Sequence, residues 1–269
     1  MRSSSFLERL HAAARANRSW LCIGLDPEPS DDVAGFLKGV VDATQDLVCC
    51  YKPNLAFFEA LGIPGQHALR SVLNAIPSNV PVLIDAKRGD TPNTMRAYAR
   101  AIFDELHADA VTVNPYLGAD SLEPFFAYPD RGVFVLCKTS NPGAGEIQDL
   151  EVNGEPLFLT IARRTQAWDQ HGTLGLVVGA TYPGDVAAAR EVAPHVPILL
   201  PGVGPQAGDL AASVRAGVDA NGERAIVNAS RTVLYASQAA DWQAAARGAA
   251  ERLRDEINSA RLEALAALR

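Results

Sequence analysis

The chain has 269 residues, 48% of them hydrophobic and 20% charged, so it can bury a large core and lies outside the composition of a disordered segment. Its formal net charge of −7 excludes a general nucleic-acid surface, which needs basic excess to offset backbone phosphates. No apolar run approaches the ~20 residues that span a bilayer, and Glu8 and Arg9 interrupt the apolar stretch near the N-terminus; neither a membrane span nor a signal peptide is expected, and a cytoplasmic location is.

In chain order, residues 5–15 place Phe6, Leu7 and Leu10 at helical spacing behind a serine cap. That predicts a helix covering the floor or an edge of the fold. Short apolar runs follow at 20–25, 47–51, 82–84, 110–113, 133–137, 174–178, 198–200 and 225–227. They are continuous rather than alternating, as in strands covered on both faces within parallel sheets. The segments between and after them predict helices at 33–44, 64–76, 93–105, 121–126, 157–170, 185–192, 206–216 and 241–267. Eight strands alternating with helices over about 250 residues predict an α/β fold, a (β/α)8 (TIM) barrel. A doubly wound sheet stays open, because the same alternation serves it. No composition shift marks a second domain, so residues 1–269 read as one barrel domain with an N-terminal helix and a long, Ala-rich C-terminal helix. The Gly-rich connection 139–155 is long enough to serve as a lid. Cys22, Cys49, Cys50 and Cys137 all fall in apolar runs without zinc spacing and read as buried, reduced thiols; no metal site is expected.

In a parallel barrel, the polar residues after each run converge on one rim. The strand ends then supply Asp26, Lys52, Asp85, Lys87, Asn114, Ser140, Gly202 with Gly204, and Arg231. The stretch DAKRGD at 85–90 carries the densest charge. On a strand, Asp85 and Lys87 share a face with Cα atoms about 7 Å apart. Arg88-Gly89 lets the chain turn and leaves Asp90 in the loop beyond. Charges gathered where water is scarce cost free energy, so the cluster reads as a reactive site, with a solvated strand end as the alternative. Lys52, after Cys49-Cys50-Tyr51 and before Pro53, reads as shielded from bulk water, and an ion pair with Asp85 is its structural alternative. Asp26 either accepts hydrogen bonds from a sugar hydroxyl or caps the segment that follows. The Gly202-Val203-Gly204 turn and the Asn228-Ala229-Ser230-Arg231 segment follow the seventh and eighth runs, where barrels commonly hold phosphate. Glycines admit close backbone N–H donors and arginine adds a charged fork, so a small phosphorylated ligand is expected.

Together with DAKRGD, the blocks LDPEP at 25–29, YKPN at 51–54, CKTSNPGAGEIQD at 137–149, PGVGPQ at 201–206 and NASR at 228–231 stand in order at six strand ends. This set resembles the orotidine 5′-monophosphate decarboxylase family, in particular its bacterial branch with a longer lid segment. The resemblance implies a (β/α)8 barrel that converts orotidine monophosphate to UMP and CO2 in de novo pyrimidine biosynthesis with neither metal nor cofactor. It implies a homodimer with active sites shared at the subunit interface, a small-molecule substrate, and no nucleic-acid or membrane partner. By motif position, Lys52, Asp85, Lys87 and Asp90 correspond to an alternating charged network in which Asp90 is supplied by the partner subunit, with Thr94 beside it toward the ribose. Asp26 and Lys52 resemble ribose-contacting residues, Ser140 a pyrimidine-contacting one, and Gly204, Gln206 and Arg231 the phosphate grip. The family usually follows its last aspartate with an aliphatic residue, whereas this chain has Thr91-Pro92. Loss of CO2 from C6 leaves a localised carbanion with no electron sink evident, so Lys87 is expected to face that charge and donate the proton. The competing readings are a metal-dependent phosphate-sugar lyase on the same barrel, a Schiff-base aldolase using Lys87 or Lys52, and a nucleotide-binding module without catalysis.

Overall fold

The apolar runs become strands whose faces are both covered, although the run at 47–51 pairs only from Cys50 to Pro53 and the third strand loses its burial after Asp85. A computed structural model describes residues 4–202 and 209–267. Its strands are β1 (Leu21–Leu25), β2 (Cys50–Pro53), β3 (Leu83–Arg88), β4 (Ala110–Val113) and β5 (Gly132–Lys138), a small pair β6 (Glu151–Val152) and β7 (Glu155–Pro156), and then β8 (Leu174–Val178), β9 (Ile198–Pro201) and β10 (Ala225–Ala229). Eight of them form one parallel sheet in the order β2-β1-β10-β9-β8-β5-β4-β3. Its two ends meet through parallel bridges joining Tyr51 to Val82 and Asn54 to Asp85, with the Tyr51 N–H donating to the Pro81 carbonyl at 3.0 Å. The sheet is therefore a closed barrel with neighbours in chain order, which rules out the doubly wound alternative.

Around the barrel lie α1 (Phe6–Ala16), α2 (Val33–Thr44), α3 (Leu55–Glu59), α4 (Gly62–Ala75), α5 (Pro92–Ala99), α6 (Ala119–Phe126), α7 (Gly145–Gln148), α8 (Leu157–Trp168), α9 (Pro183–Val192), α10 (Leu210–Gly217), α11 (Arg231–Leu234) and α12 (Trp242–Ala267). A capping box starts α1: the Glu8 N–H donates to Ser5 Oγ and the Ser5 N–H donates to Glu8 Oε2. The Phe6 N–H donates to the Asp130 carbonyl, and the Phe6 ring stands edge-on to Phe134 with centroids 5.8 Å apart. This places α1 over the floor of the barrel, at the end where the strands begin. Burial of Phe6 contributes about 1.5–3 kcal/mol. The long α12 packs on α2 and α10, closing the helical ring.

Four local features depart from the expectation. The helix expected at 93–105 starts at Pro92 and widens into a π-helix over Arg100–Glu105. The short α3, capped by the Asn54 side chain on the Ala56 N–H, precedes α4. The beginning of the helix expected at 206–216 lies outside the described residues, and α10 runs Leu210–Gly217. The connection 139–155 is not a plain loop: it holds a 3-10 turn at Pro142–Ala144, α7, and the β6–β7 hairpin. That hairpin turns on Asn153 and Gly154 with φ of 54° and 83°, the paired left-handed geometry for which Asn-Gly is suited.

Candidate active site

The charged stretch after the third apolar run sits where β3 leaves the barrel. Pairing of β3 with β4 shifts register between Ile84 and Arg88, and Lys87 adopts a left-handed backbone with φ of 46°. Such a conformation is unfavourable for a residue with a side chain and persists only where its surroundings impose it. Thr112 on β4 supplies the constraint. Its Oγ1 accepts from the N–H groups of Ala86 and Lys87, each at 3.0 Å, and donates to Asp85 Oδ1 at 2.8 Å. One hydroxyl thus uses its full hydrogen-bonding capacity to aim both the bulge and the carboxylate.

Asp85, 7% exposed, stands between two ammonium groups. Lys52 Nζ donates to its Oδ2 at 2.9 Å and Lys87 Nζ to its Oδ1 at 2.7 Å. Burial alone would raise the Asp85 pKa, but the charges of Lys52 and Lys87 outweigh it and hold the carboxyl well below the usual carboxylate range. For Lys52, burial favours the neutral amine, yet the facing Asp85 and Asp26 outweigh it and raise its pKa. Asp85 and Asp26 together balance the two lysines, and Lys87, the partly exposed member with 47% of its side chain accessible, is the cation placed to meet an anion that develops during a reaction.

Asp85 and Lys52 form part of the wall of a cleft of about 1000 Å³, shared with Asp26, Ser140, Gly202 and Arg231. Asp26 is not the cap of the next helix; Asp32 caps α2 by accepting from the Gly35 N–H. Instead, Asp26 lines the cleft, and its Oδ1 is buried without a hydrogen-bond partner. Gly24 leaves room for these side chains, since a Cβ there would lie 1.9 Å from Ser230 Oγ and 3.1 Å from Asp26 Oδ2 and would turn the serine aside. Among the described residues, the Arg231 guanidinium makes no ion pair. Gly204 and Gln206 lie outside the described residues.

The structure does not bring Asp90 or Thr94 to the Lys52–Asp85–Lys87 group of the same chain. Both are half-buried, and the Asp90 carboxylate accepts from the adjacent Thr91 N–H at 2.6 Å. Thr91 itself is exposed at the start of α5, just before Pro92 at the first helical position, so helix initiation accounts for the dipeptide. Residues the sequence reading missed are Thr112, Phe57 and Tyr235; Asn54 and Asn228, within the blocks at 51–54 and 228–231, also line the cleft. The signal for Thr112 was a lone hydroxyl in an otherwise apolar strand. The Tyr235 hydroxyl accepts from the Glu28 N–H at 2.6 Å, and its ring stacks on Phe36. All four cysteines are buried and none lines the cleft; burial raises the Cys22 thiol well above its ordinary value and pushes Cys137 up to about 12. Among the described residues, no group of three or more His, Cys, Asp or Glu side chains is arranged to hold a metal ion.

A sequence model of the orotidine 5′-phosphate decarboxylase / HUMPS family matches residues 19–248. The orotidine 5′-phosphate decarboxylase of Roseiflexus sp. strain RS-1 is 50% identical over 268 residues, covering 95% of this chain and 98% of that protein. The enzyme of the same name from Thermomicrobium roseum is 50% identical, with 96% and 97% covered. Among solved structures, the Leishmania donovani OMP decarboxylase superposes with a TM-score of 0.88 at 42% identity, covering 96% of this chain and 99% of that one.

Proposed function

The chain belongs to the orotidine 5′-phosphate decarboxylase / HUMPS family and catalyses the decarboxylation of orotidine 5′-monophosphate to UMP and CO2 in pyrimidine biosynthesis, and from that premise we propose how its residues divide the work. Lys87 faces C6 of the pyrimidine. As the C6–carboxylate bond breaks, its electron pair stays on C6 and the carboxylate departs as CO2. The Lys87 ammonium stabilises that pair and then transfers a proton to C6, after which solvent reprotonates the amine. Asp85 keeps Lys87 charged and aimed, and Lys52 balances Asp85 from the buried side. The observation that carries this reading is the Lys52–Asp85–Lys87 chain of ion pairs locked by Thr112.

A charge pair at 4 Å is worth about 4 kcal/mol at an effective dielectric of 20, whereas enzymes supply about 8–23 kcal/mol. Lys87 therefore needs help. The remainder comes from groups already in place before reaction, from water excluded by the lid, and from binding energy at the distant phosphate. Asp26 and Lys52 hold ribose hydroxyls, with the unpartnered Asp26 Oδ1 as support. Ser140 contacts the pyrimidine, and Arg231, with Gly204 and Gln206, grips the phosphate.

A continuous assay that follows the orotate chromophore tests the mechanism. Turnover with excess EDTA is expected, and loss of turnover on chelation would count against the cofactor-free reading. Arg231→Ala is expected to raise KM for orotidine monophosphate about 10–100-fold, the range of one lost charged hydrogen bond, with a smaller change in kcat. The residual turnover of orotidine, which lacks the phosphate, should not change; an equal loss with both substrates would discard the phosphate role.

The reading also includes a homodimer in which Asp90 and Thr94 complete the neighbouring site, supported by an Asp90 carboxylate that has no ion pair with its own chain among the described residues. Mixing Lys87→Ala with Asp90→Ala protein should restore activity up to about one quarter of wild type, since half the dimers are then mixed and each carries one intact site. No recovery under confirmed subunit exchange would remove the shared site. One catalytic domain over residues 1–269 and a cytoplasmic location complete the proposal; no helix of the described residues is long and apolar enough to cross a membrane.

A further inference from the structure

Lys138 ends β5 and is 4% exposed, although it stands at the rim where the chain leaves the sheet. The pairing of β5 with β8 shifts register between Leu136 and Lys138. As a result, two consecutive side chains lean toward the helical layer instead of alternating: the Cys137 thiol donates to the Phe158 carbonyl in α8, and the Lys138 ammonium lies 5.3 Å from the Phe158 ring centroid. Lys138 therefore does not line the cleft. Its ammonium pairs with Asp149, directly after α7, and stands 3.9 Å from Asp185 in the first turn of α9. A lone ammonium at this depth costs several kcal/mol, so these two carboxylates are the condition for its burial.

A second bond set runs alongside. The Thr139 N–H donates to Gln148 Oε1, and Gln148 Nε2 donates back to Thr139 Oγ1, both at 2.8 Å. Thr139 Oγ1 in turn donates to Asn141 Oδ1 at 2.6 Å. Lys138 at the end of β5 and Thr139 just beyond it are thus held by Asp149 and Gln148 at the end of α7, while Ser140, the next residue, lines the cleft. The opposite wall is equally tight. The Gly179 N–H donates to the Lys138 carbonyl at 2.8 Å, and a Cβ on Gly179 would come within 3.0 Å of Ser140.

We infer that Lys138, Gln148 and Asp149 form a two-pronged clasp that fastens the lid base to β5 and positions Ser140 before substrate arrives. Lys138 is a positioning residue, and the inference rests on the reading of Ser140 as the pyrimidine contact. Without the clasp, residues 138–141 must be ordered when substrate binds, and that ordering is subtracted from affinity rather than from the chemical step.

Asp149→Asn is the primary test, because this carboxylate is half exposed and its loss leaves no cavity. KM for orotidine monophosphate is expected to rise about tenfold, with kcat within about twofold; the melting temperature falls, because buried Lys138 keeps only Asp185 as a partner, whereas Gln148→Ala leaves the ion pair in place and should keep the wild-type melting temperature. Gln148→Ala should act in the same direction, and Lys138→Arg should keep most of the wild-type KM. Ser140→Ala is measured beside them, together with the Ser140→Ala, Asp149→Asn double variant. A clasp that acts through Ser140 makes the double variant no worse than Ser140→Ala alone, whereas additive effects overturn it. A wild-type KM in Asp149→Asn beside an impaired Ser140→Ala overturns the clasp alone. A wild-type KM in Ser140→Ala overturns the assignment of Ser140 and the inference with it.

Discussion

Replacing Lys87 by alanine is expected to lower the decarboxylation rate by about 10⁴-fold while UMP affinity stays within about tenfold of wild type. The substitution removes two contributions at once: the fixed positive charge beside C6 and the proton that takes the place of CO2. Each is worth about 10²–10³-fold or more alone, and they act through one atom, so they do not simply multiply. Binding of UMP draws mainly on ribose and phosphate contacts, which Lys87 does not make. The side chain of Lys87 is 47% exposed, so its loss leaves no buried cavity and the fold should persist. Single-turnover rates with orotidine monophosphate and a separate titration with UMP check the two halves. Near-normal turnover would end the role given to this lysine.

The second large effect is expected at Asp85, where asparagine keeps the shape and removes the charge. Lys52, 3% exposed, then keeps only Asp26 as a facing anion, and breaking a buried pair of this kind costs about 3–5 kcal/mol. The pH dependence has a defined sign. Asp85 has its folded pKa held below the unfolded value, so its contribution is complete above ~3.9 and is lost only as pH falls through the folded value. The raised pKa of Lys52 acts the other way: its contribution is complete below ~10.4 and is lost as pH rises through the folded value. In Asp85→Asn, burial of Lys52 is opposed by Asp26 alone, and the lysine pKa drops. The deficit in stability is therefore largest near neutrality and shrinks as pH approaches ~10.4, where the unfolded lysine also loses its proton. Urea unfolding at about pH 7 and about pH 9.5 checks this: the gap from wild type should narrow at the higher pH. Wild-type stability at neutral pH would show that the pair is not structural. Turnover should fall as well, because Lys87 loses the carboxylate that aims it.

Much of the framework was legible before the structure. The runs at 110–113 and 174–178 match β4 and β8 at both ends, and the helix expected at 33–44 matches α2, because burial on both faces and helical periodicity leave direct marks on residue order. Ser5 and Glu8 announced α1 in the same way. The Asn153-Gly154 turn between the two short strands carries an equally local signal. The π-helix at Arg100–Glu105 had no such mark. At the candidate site, Lys52, Asp85 and Lys87 stood out because charge beside an apolar run is costly, and the structure brings these three together. Lys138 meets the same criterion, a charge at the end of an apolar run, but its carboxylate partners Asp149 and Asp185 come from segments distant in the chain.

By itself, the sequence determined the alternation of strands and helices, the charged strand ends and their order around the rim, since each rests on the chemistry of near neighbours along the chain. Only the tertiary structure decided that Thr112 orients Asp85, that Asp26 keeps a buried, unpartnered oxygen, and that Lys138 turns outward to Asp149 rather than inward. The physical reason is the same in all three cases. Each depends on which atoms of distant segments fall within about 3 Å of one another, and hydrogen bonds are that short-ranged. A register shift at the end of β3 or β5 re-aims a side chain completely, and no pattern of residue types along one strand records it.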